Sequence, residues 1–386
     1  MATWNSLPIE LRLVVYQNLD YTDRRRPQGQ DIRHKHCMTK YAAVSREWQA
    51  FFEQRNFKRL TIRQQDLEEF ERIFKGYRRR WLRILWMRVQ LPRYRCPECN
   101  MEETEGETGF NSSLFTSTIW KLFTILSTWD RENPLPFTLM LSVYSPSDNE
   151  HHFRTHCFGD DLKTFYMGPR LPLSDFEHGW WLGRQHAPRL EAKLRVLGKP
   201  LKFLLTRVSA DPDARLPTIR LVSALVLPRQ FYRRIPNVDV IIRSLPNLQD
   251  FRYEQWRPVT GRGVANAFVE LRDIIQALPY KLERISIFED FNDALHPRAL
   301  HQPGEHDLIS AQLLRRLSHE LIDVNASFIM DGCDFFEFDL QRSWPRLELL
   351  TLTCKILRRD SLERDDLFIA AAKAAMFMPK LRMLQL

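Results

Sequence analysis

PRLELLTL at residues 345–352 and PKLRMLQL at residues 379–386 are one octapeptide pattern written twice: a proline, a leucine two residues on, then apolar residues three and five positions after that leucine. Alternation brings Leu347, Leu350 and Leu352 to one face of an extended segment, and does the same for Leu381, Leu384 and Leu386. The proline ends whatever helix precedes it and lets an extended stretch begin. The apolar core of this pattern, without a fixed proline, recurs upstream at Leu248/Phe251/Tyr253, Leu282/Ile285/Ile287 and Leu321/Val324/Ala326, and again at Val222/Leu225/Leu227 and Leu82/Leu85/Met87; a proline precedes four of the copies, at Pro246, Pro279, Pro345 and Pro379. Successive copies that start at 248, 282, 321, 347 and 381 lie 34, 39, 26 and 34 residues apart, an irregular but large repeat unit.

Between the strands lie helical patterns. Val264, Phe268, Leu271, Ile275 and Leu278 form one stripe, and Leu367, Ala371, Ala375 and Met378 another. Ser112 to Trp129, with Phe115, Ile119, Leu122, Phe123 and Leu126, is an earlier one. Strand then helix, repeated, predicts an irregular leucine-rich repeat solenoid over residues 59–386, with insertions in about 91–216. A doubly wound α/β sheet also alternates strand and helix, but no glycine-rich phosphate loop follows any strand. Gly261-Arg-Gly263 is the nearest approach. A copy of the pattern ends on Leu386, with no polar cap after it, so the sequence is expected to be truncated within the array.

The N-terminus reads differently. Pro8 suits the first position of a helix, Glu10 faces its positive end, and Leu7, Leu11, Val14, Val15 and Leu19 make an apolar face. Asp20 to Lys40 is polar and basic, is broken by Pro27 and Gly29, and predicts a loop. A second amphipathic segment carries Tyr41, Val44, Trp48, Phe51 and Phe52 and runs into Phe57, Leu60 and Ile62.

LPIEL at residues 7–11, followed by YAAVSREWQAFF at residues 41–52, resembles the F-box, with its opening Leu-Pro-x-Glu and closing Val-Cys/Ser-Arg-x-Trp. The wording is closest to F-box proteins of filamentous fungi that continue directly into repeats. The resemblance covers residues 1–58 and departs from the family at YTDRRRPQGQDIRHKHC, where a leucine-bearing helix is usual. It implies a small helical motif that docks on a Skp-type adaptor, and through it on a cullin, with Leu7, Pro8, Leu11, Val14, Val44 and Trp48 carrying or supporting the contact. On that reading the chain is the substrate receptor of a ubiquitin ligase, and the array binds an unknown target protein. Without the adaptor the same pattern describes a leucine-rich interaction scaffold whose first helices cap the array.

Composition narrows the remaining classes. Hydrophobic residues at 44% and only 13 glycines exclude collagen-like and largely disordered chains. No basic n-region precedes an apolar core at the start, and the longest apolar runs are too short for a bilayer, so an intracellular protein, cytoplasmic or nuclear, is expected. Six scattered cysteines argue for reduced thiols rather than a disulfide framework. The net charge of +9 sits largely in runs such as Arg24–Arg26 and Arg78–Arg80, against an acidic patch at Glu102, Glu103, Glu105 and Glu107. Such runs read as solvated faces rather than a nucleic-acid site.

No catalytic residue and no cofactor are expected. The chain has no G-x-S-x-G elbow, P-loop or H-E-x-x-H, and adjacent acids such as Asp160-Asp161 and Asp365-Asp366 point apart. Cys96-Pro-Glu-Cys99 has the spacing of half a zinc site. His151, His152, His156 and Cys157 could complete it, but at a distance that fits no familiar zinc module, so two ordinary loop cysteines are the expectation.

Overall fold

The computed structural model describes residues 4–25, 37–129, 135–154, 174–208, 214–229, 233–235, 237–292, 295–296, 308–336, 343–358 and 363–386. Nine strands form one parallel sheet: β1 (Arg59–Arg63), β2 (Ile84–Gln90), β3 (Phe137–Tyr144), β6 (Val222–Leu227), β7 (Asp250–Trp256), β8 (Arg284–Asp290), β9 (Asp323–Ser327), β10 (Leu349–Leu352) and β11 (Met383–Gln385). Their order across the sheet is their order in the chain. A two-stranded hairpin, β4 (Trp180–Trp181) and β5 (Arg184–Gln185), is inserted between β3 and β6. The protein is thus a mixed α/β chain built on a large parallel sheet.

In all seven copies of the apolar core the middle residue falls on a strand of this sheet. Parallel pairing aligns their middle residues into a ladder that runs Leu60, Leu85, Leu139, Leu225, Phe251, Ile285, Val324, Leu350, Leu384 across nine strands. From Leu85 to Leu350 these side chains are fully buried. Each such residue removes on the order of 1.5–3 kcal/mol of apolar surface from water, so register is strongly specified. The helices Gly261–Ala277, Leu308–Ser318 and Glu363–Ala375 supply the other wall through Leu271, Ile275, Leu314, Leu367 and Ala371. The opposite face of β7 to β9 is mixed: Arg252 and Arg284 are exposed, Asp250, Asp323 and Asn325 half-buried, and the half-buried aromatics Trp256 and Phe288 share that face.

Two strands depart from the sequence reading. β1 begins where a helical stripe is expected to continue, yet Phe57, Leu60 and Ile62 repeat the spacing of Leu82, Leu85 and Met87, and Leu60 pairs with Leu85 and Ile62 with Met87 across the β1–β2 ladder. β3 hides because Phe137 fills the position of the leading leucine only two residues before Leu139. The register shift opposite Val222 in β6 absorbs the missing residue. The helix expected from Ser112 begins earlier, at Glu105, because Thr104 and Glu107 close a reciprocal capping box, Glu107 N–H to Thr104 Oγ1 at 3.2 Å and Thr104 N–H to Glu107 Oε2 at 2.8 Å.

The N-terminal segment is helical. Helix α1 (Ile9–Arg25) starts just after Pro8 and continues five residues beyond the expected loop boundary at Asp20, since no breaker stands before Pro27. After α2 (Cys37–Ala42) comes α3 (Arg46–Asn56), capped by Ser45, whose Oγ accepts the Trp48 N–H. The arginine run at residues 78–80 is not simply a solvated face. Arg78 grips Glu53 of α3 bidentately through one guanidinium edge, Nη2 at 2.9 Å and Nε at 3.1 Å, and Arg79 donates to the Phe74 carbonyl and covers the Trp129 ring. Among the described residues no helix is long and apolar enough to cross a membrane.

Candidate functional site

The N-terminal helices invert the usual use of aliphatic and aromatic side chains. Among the described side chains of α1 Tyr16 alone is buried, at 2% exposure, and its ring meets Trp4, Trp48, Phe51 and Phe52 at centroid distances of 5.4, 5.0, 4.7 and 5.7 Å. Tyr41 closes the cluster against Trp48 and Phe52. The Arg12–Glu47 ion pair, at 2.6 Å, fixes α1 on α3. With aromatics filling the interior, the aliphatics face out: Leu11 is 51%, Val14 49% and Val44 60% exposed, beside exposed Ile9, Leu13 and Val15. Pro8 is exposed with them, while Leu7 is half-buried.

Of the residues picked from the sequence, Pro8, Leu11, Val14 and Val44 are therefore exposed. Trp48 is half-buried and packs in the aromatic cluster against Trp4, Tyr16, Tyr41 and Phe52. Trp4 and Tyr16 were invisible to aliphatic periodicity; the signal that finds them is the count of aromatic residues in so short a segment. The divergent stretch at residues 26–36 lies outside the described residues.

A second constellation forms where the chain leaves the sheet. The turn Cys96–Asn100 follows β2, His151 lies on the turn after β3, and His178 lies just before the β4–β5 hairpin. These three segments meet. Cys96 Sγ, Cys99 Sγ and one ring nitrogen each of His151 and His178 all lie within 4.8 Å of one another. The Cys96 thiol and His178 Nε2 are 3.2 Å apart, and His178 Nδ1 is 2.8 Å from Asp175 Oδ2. Gly179, at φ +74°, turns the chain beside His178 where a Cβ would stand 3.1 Å from the His186 carbonyl oxygen. His151 itself adopts φ +51°, which sends its ring into the cluster and that of His152 elsewhere. Both nitrogens of His152 are engaged, with the His178 carbonyl at 3.0 Å and the Asn100 side chain at 2.8 Å.

Burial sets the protonation of these groups in the ion-free structure. It pushes the Cys99 thiol up to about 12, reinforced by Cys96, and holds His152 down to about 4. Burial and the facing His178 also lower His151. Cys96 and Cys99, expected as ordinary loop cysteines, lie together with His151, one of the residues that could complete a site; His152, another of those, does not join them, and His178 does without having been singled out. His156 and Cys157 lie outside the described residues.

Around this cluster the acidic patch at residues 102–107 proves to be an anchor. Glu103, nearly fully buried, takes Arg233 at 2.6 Å, and Arg233 also clamps Asp148 at 2.7 and 2.9 Å. Glu107 takes Arg195, and Glu102 and Glu105 take Lys199.

Comparison with known families gives one match, over residues 277–386, to a family of unknown function (DUF6546). It covers the sheet's last strands, β8 to β11, and neither the N-terminal helices nor the cysteine–histidine cluster. No curated protein matches the chain.

Proposed function

We propose that the chain is a substrate receptor of a Skp–cullin–F-box ubiquitin ligase, with residues 1–58 as the tether and residues 59–386 as an irregular leucine-rich repeat solenoid that binds the target. The observation that carries the tether is the exposure of Pro8, Leu11, Val14 and Val44. An apolar surface of this kind on a small helical motif is costly to leave in water and marks an interaction site. Its position matches the residues that the F-box resemblance assigns to adaptor contact. The solenoid reading draws support from strand order that follows chain order across nine parallel strands, since each repeat then stacks only on its neighbours.

In this role the chain does no bond chemistry. It raises the local concentration of target lysines near a ubiquitin-loaded enzyme. Two surfaces are offered to a target: the outer sheet face across β7 to β9, which mixes Arg252 and Arg284 with Trp256 and Phe288, and the hairpin region, where Phe176 and Leu182 are each 69% exposed and Phe176 packs edge-on against Trp181. The test of the tether is co-purification of the full chain with a Skp-type adaptor. Leu11→Asp with Val14→Asp is expected to abolish it and leave the melting temperature unchanged, because both side chains already face water. Recovery of the adaptor at wild-type levels by this folded variant would refute the proposal.

A further inference from the structure

We propose that Cys96, Cys99, His151 and His178 bind one structural zinc ion that staples the inserted hairpin to the ends of β2 and β3. Two thiols and two imidazoles form a complete closed donor set for tetrahedral zinc, and among the described residues no fifth histidine, cysteine or carboxylate joins them. The edges of a Cys2His2 zinc tetrahedron, from ordinary zinc–ligand bond lengths, are about 3.3–3.8 Å. The four donor atoms already lie within 4.8 Å of one another, and Cys96 Sγ and His178 Nε2 at 3.2 Å. Only a small inward closure separates this arrangement from coordination.

The surrounding groups are those a zinc site needs. Asp175, 2.8 Å from His178 Nδ1, accepts its proton and so leaves Nε2 with its lone pair directed at the cysteines, the carboxylate–histidine arrangement that orients a metal ligand. The Trp180 indole, almost fully buried, donates to the His151 carbonyl at 3.2 Å and shields that side of the cluster. His152 does not compete, since both of its nitrogens are already bound.

The fold also has use for a staple here. The apolar cluster under the insertion is small, built from Phe153, Val196, Leu197, Val259 and Leu295, whereas the sheet core is continuous from β1 to β11. A segment with so little core gains most from a cross-link among its three strands of chain. Zinc would fix the hairpin whose tip exposes Phe176, Trp181 and Leu182, and so set the shape of that surface.

The test uses the full chain purified without chelator. Elemental analysis is expected to find about one zinc per chain, and replacement by cobalt(II) to give the visible absorption of a tetrahedral site with sulfur-to-metal charge transfer. Cys96→Ser, at an exposed position, is expected to fold and to lose most of the metal. Asp175→Asn is expected to keep the same cobalt spectrum with affinity weakened roughly ten- to hundredfold. A wild-type chain that holds no zinc and gives no tetrahedral cobalt spectrum would overturn the proposal. So would a Cys96–Cys99 disulfide in the freshly purified protein, or full zinc content in both Cys96→Ser and His178→Ala. If these variants fail to fold, the wild-type cobalt titration alone decides.

Discussion

The N-terminal helices and the C-terminal sheet use the same aliphatic residues in opposite ways. In the sheet, Ile285, Val324 and Leu350 stack strand to strand with essentially no exposure. In the helices, Leu11, Val14 and Val44 point to solvent while Tyr16, Trp48 and Phe52 fill the interior. Identical chemistry thus serves cohesion in one region and is left available in the other. In the N-terminal helices about half of the Leu11 and Val14 side-chain surface meets water.

Substitutions can break or sharpen that contrast. The largest effect is expected at Tyr16, which four rings surround: Tyr16→Ala should cost the motif about 3–5 kcal/mol and expose residues 1–58 to limited proteolysis while the sheet stays protected. Leu350→Ala should cost about 2–5 kcal/mol, read as a fall in the main melting transition and in denaturant midpoint. Ser45→Ala removes the cap of α3 and should cost about 1 kcal/mol, visible as faster amide exchange in that helix. Leu11→Ala with Val44→Ala comes last, with a change within about 0.5 kcal/mol. If that last pair destabilised the chain as much as Leu350→Ala does, the contrast would be wrong and the N-terminal face would be ordinary core.

What was legible in the sequence follows the same division. The sheet announced itself because its inward positions repeat with fixed spacing and a proline marks the approach to four of the copies. β3 escaped since one residue is missing before Leu139 and the pairing bulges to compensate. β1 escaped since Phe57, Leu60 and Ile62 follow a helix without a break and continue its apolar stripe. At the N-terminus the aliphatic stripe was visible but not its direction: periodicity tells which residues share a face, not whether that face turns inward. For the cysteine–histidine cluster, Cys96 and Cys99 are neighbours in the chain and could be paired by spacing. His178 lies 82 positions from Cys96 and reaches it only because parallel strands bring the ends of β2 and β3 together. Fold, not spacing, assembles that site. The arginine run at residues 78–80 misled for a related reason, as its partner Glu53 belongs to another element.

The measurement that bears most directly on the central claim is the affinity of the full chain for a purified Skp-type adaptor, wild type beside Leu11→Asp/Val14→Asp, with melting curves recorded on the same samples. The account predicts binding by the wild type, loss of binding in the variant, and superimposable melting curves. A wild-type chain that fails to bind the adaptor, or a variant that binds as well as wild type, would contradict it.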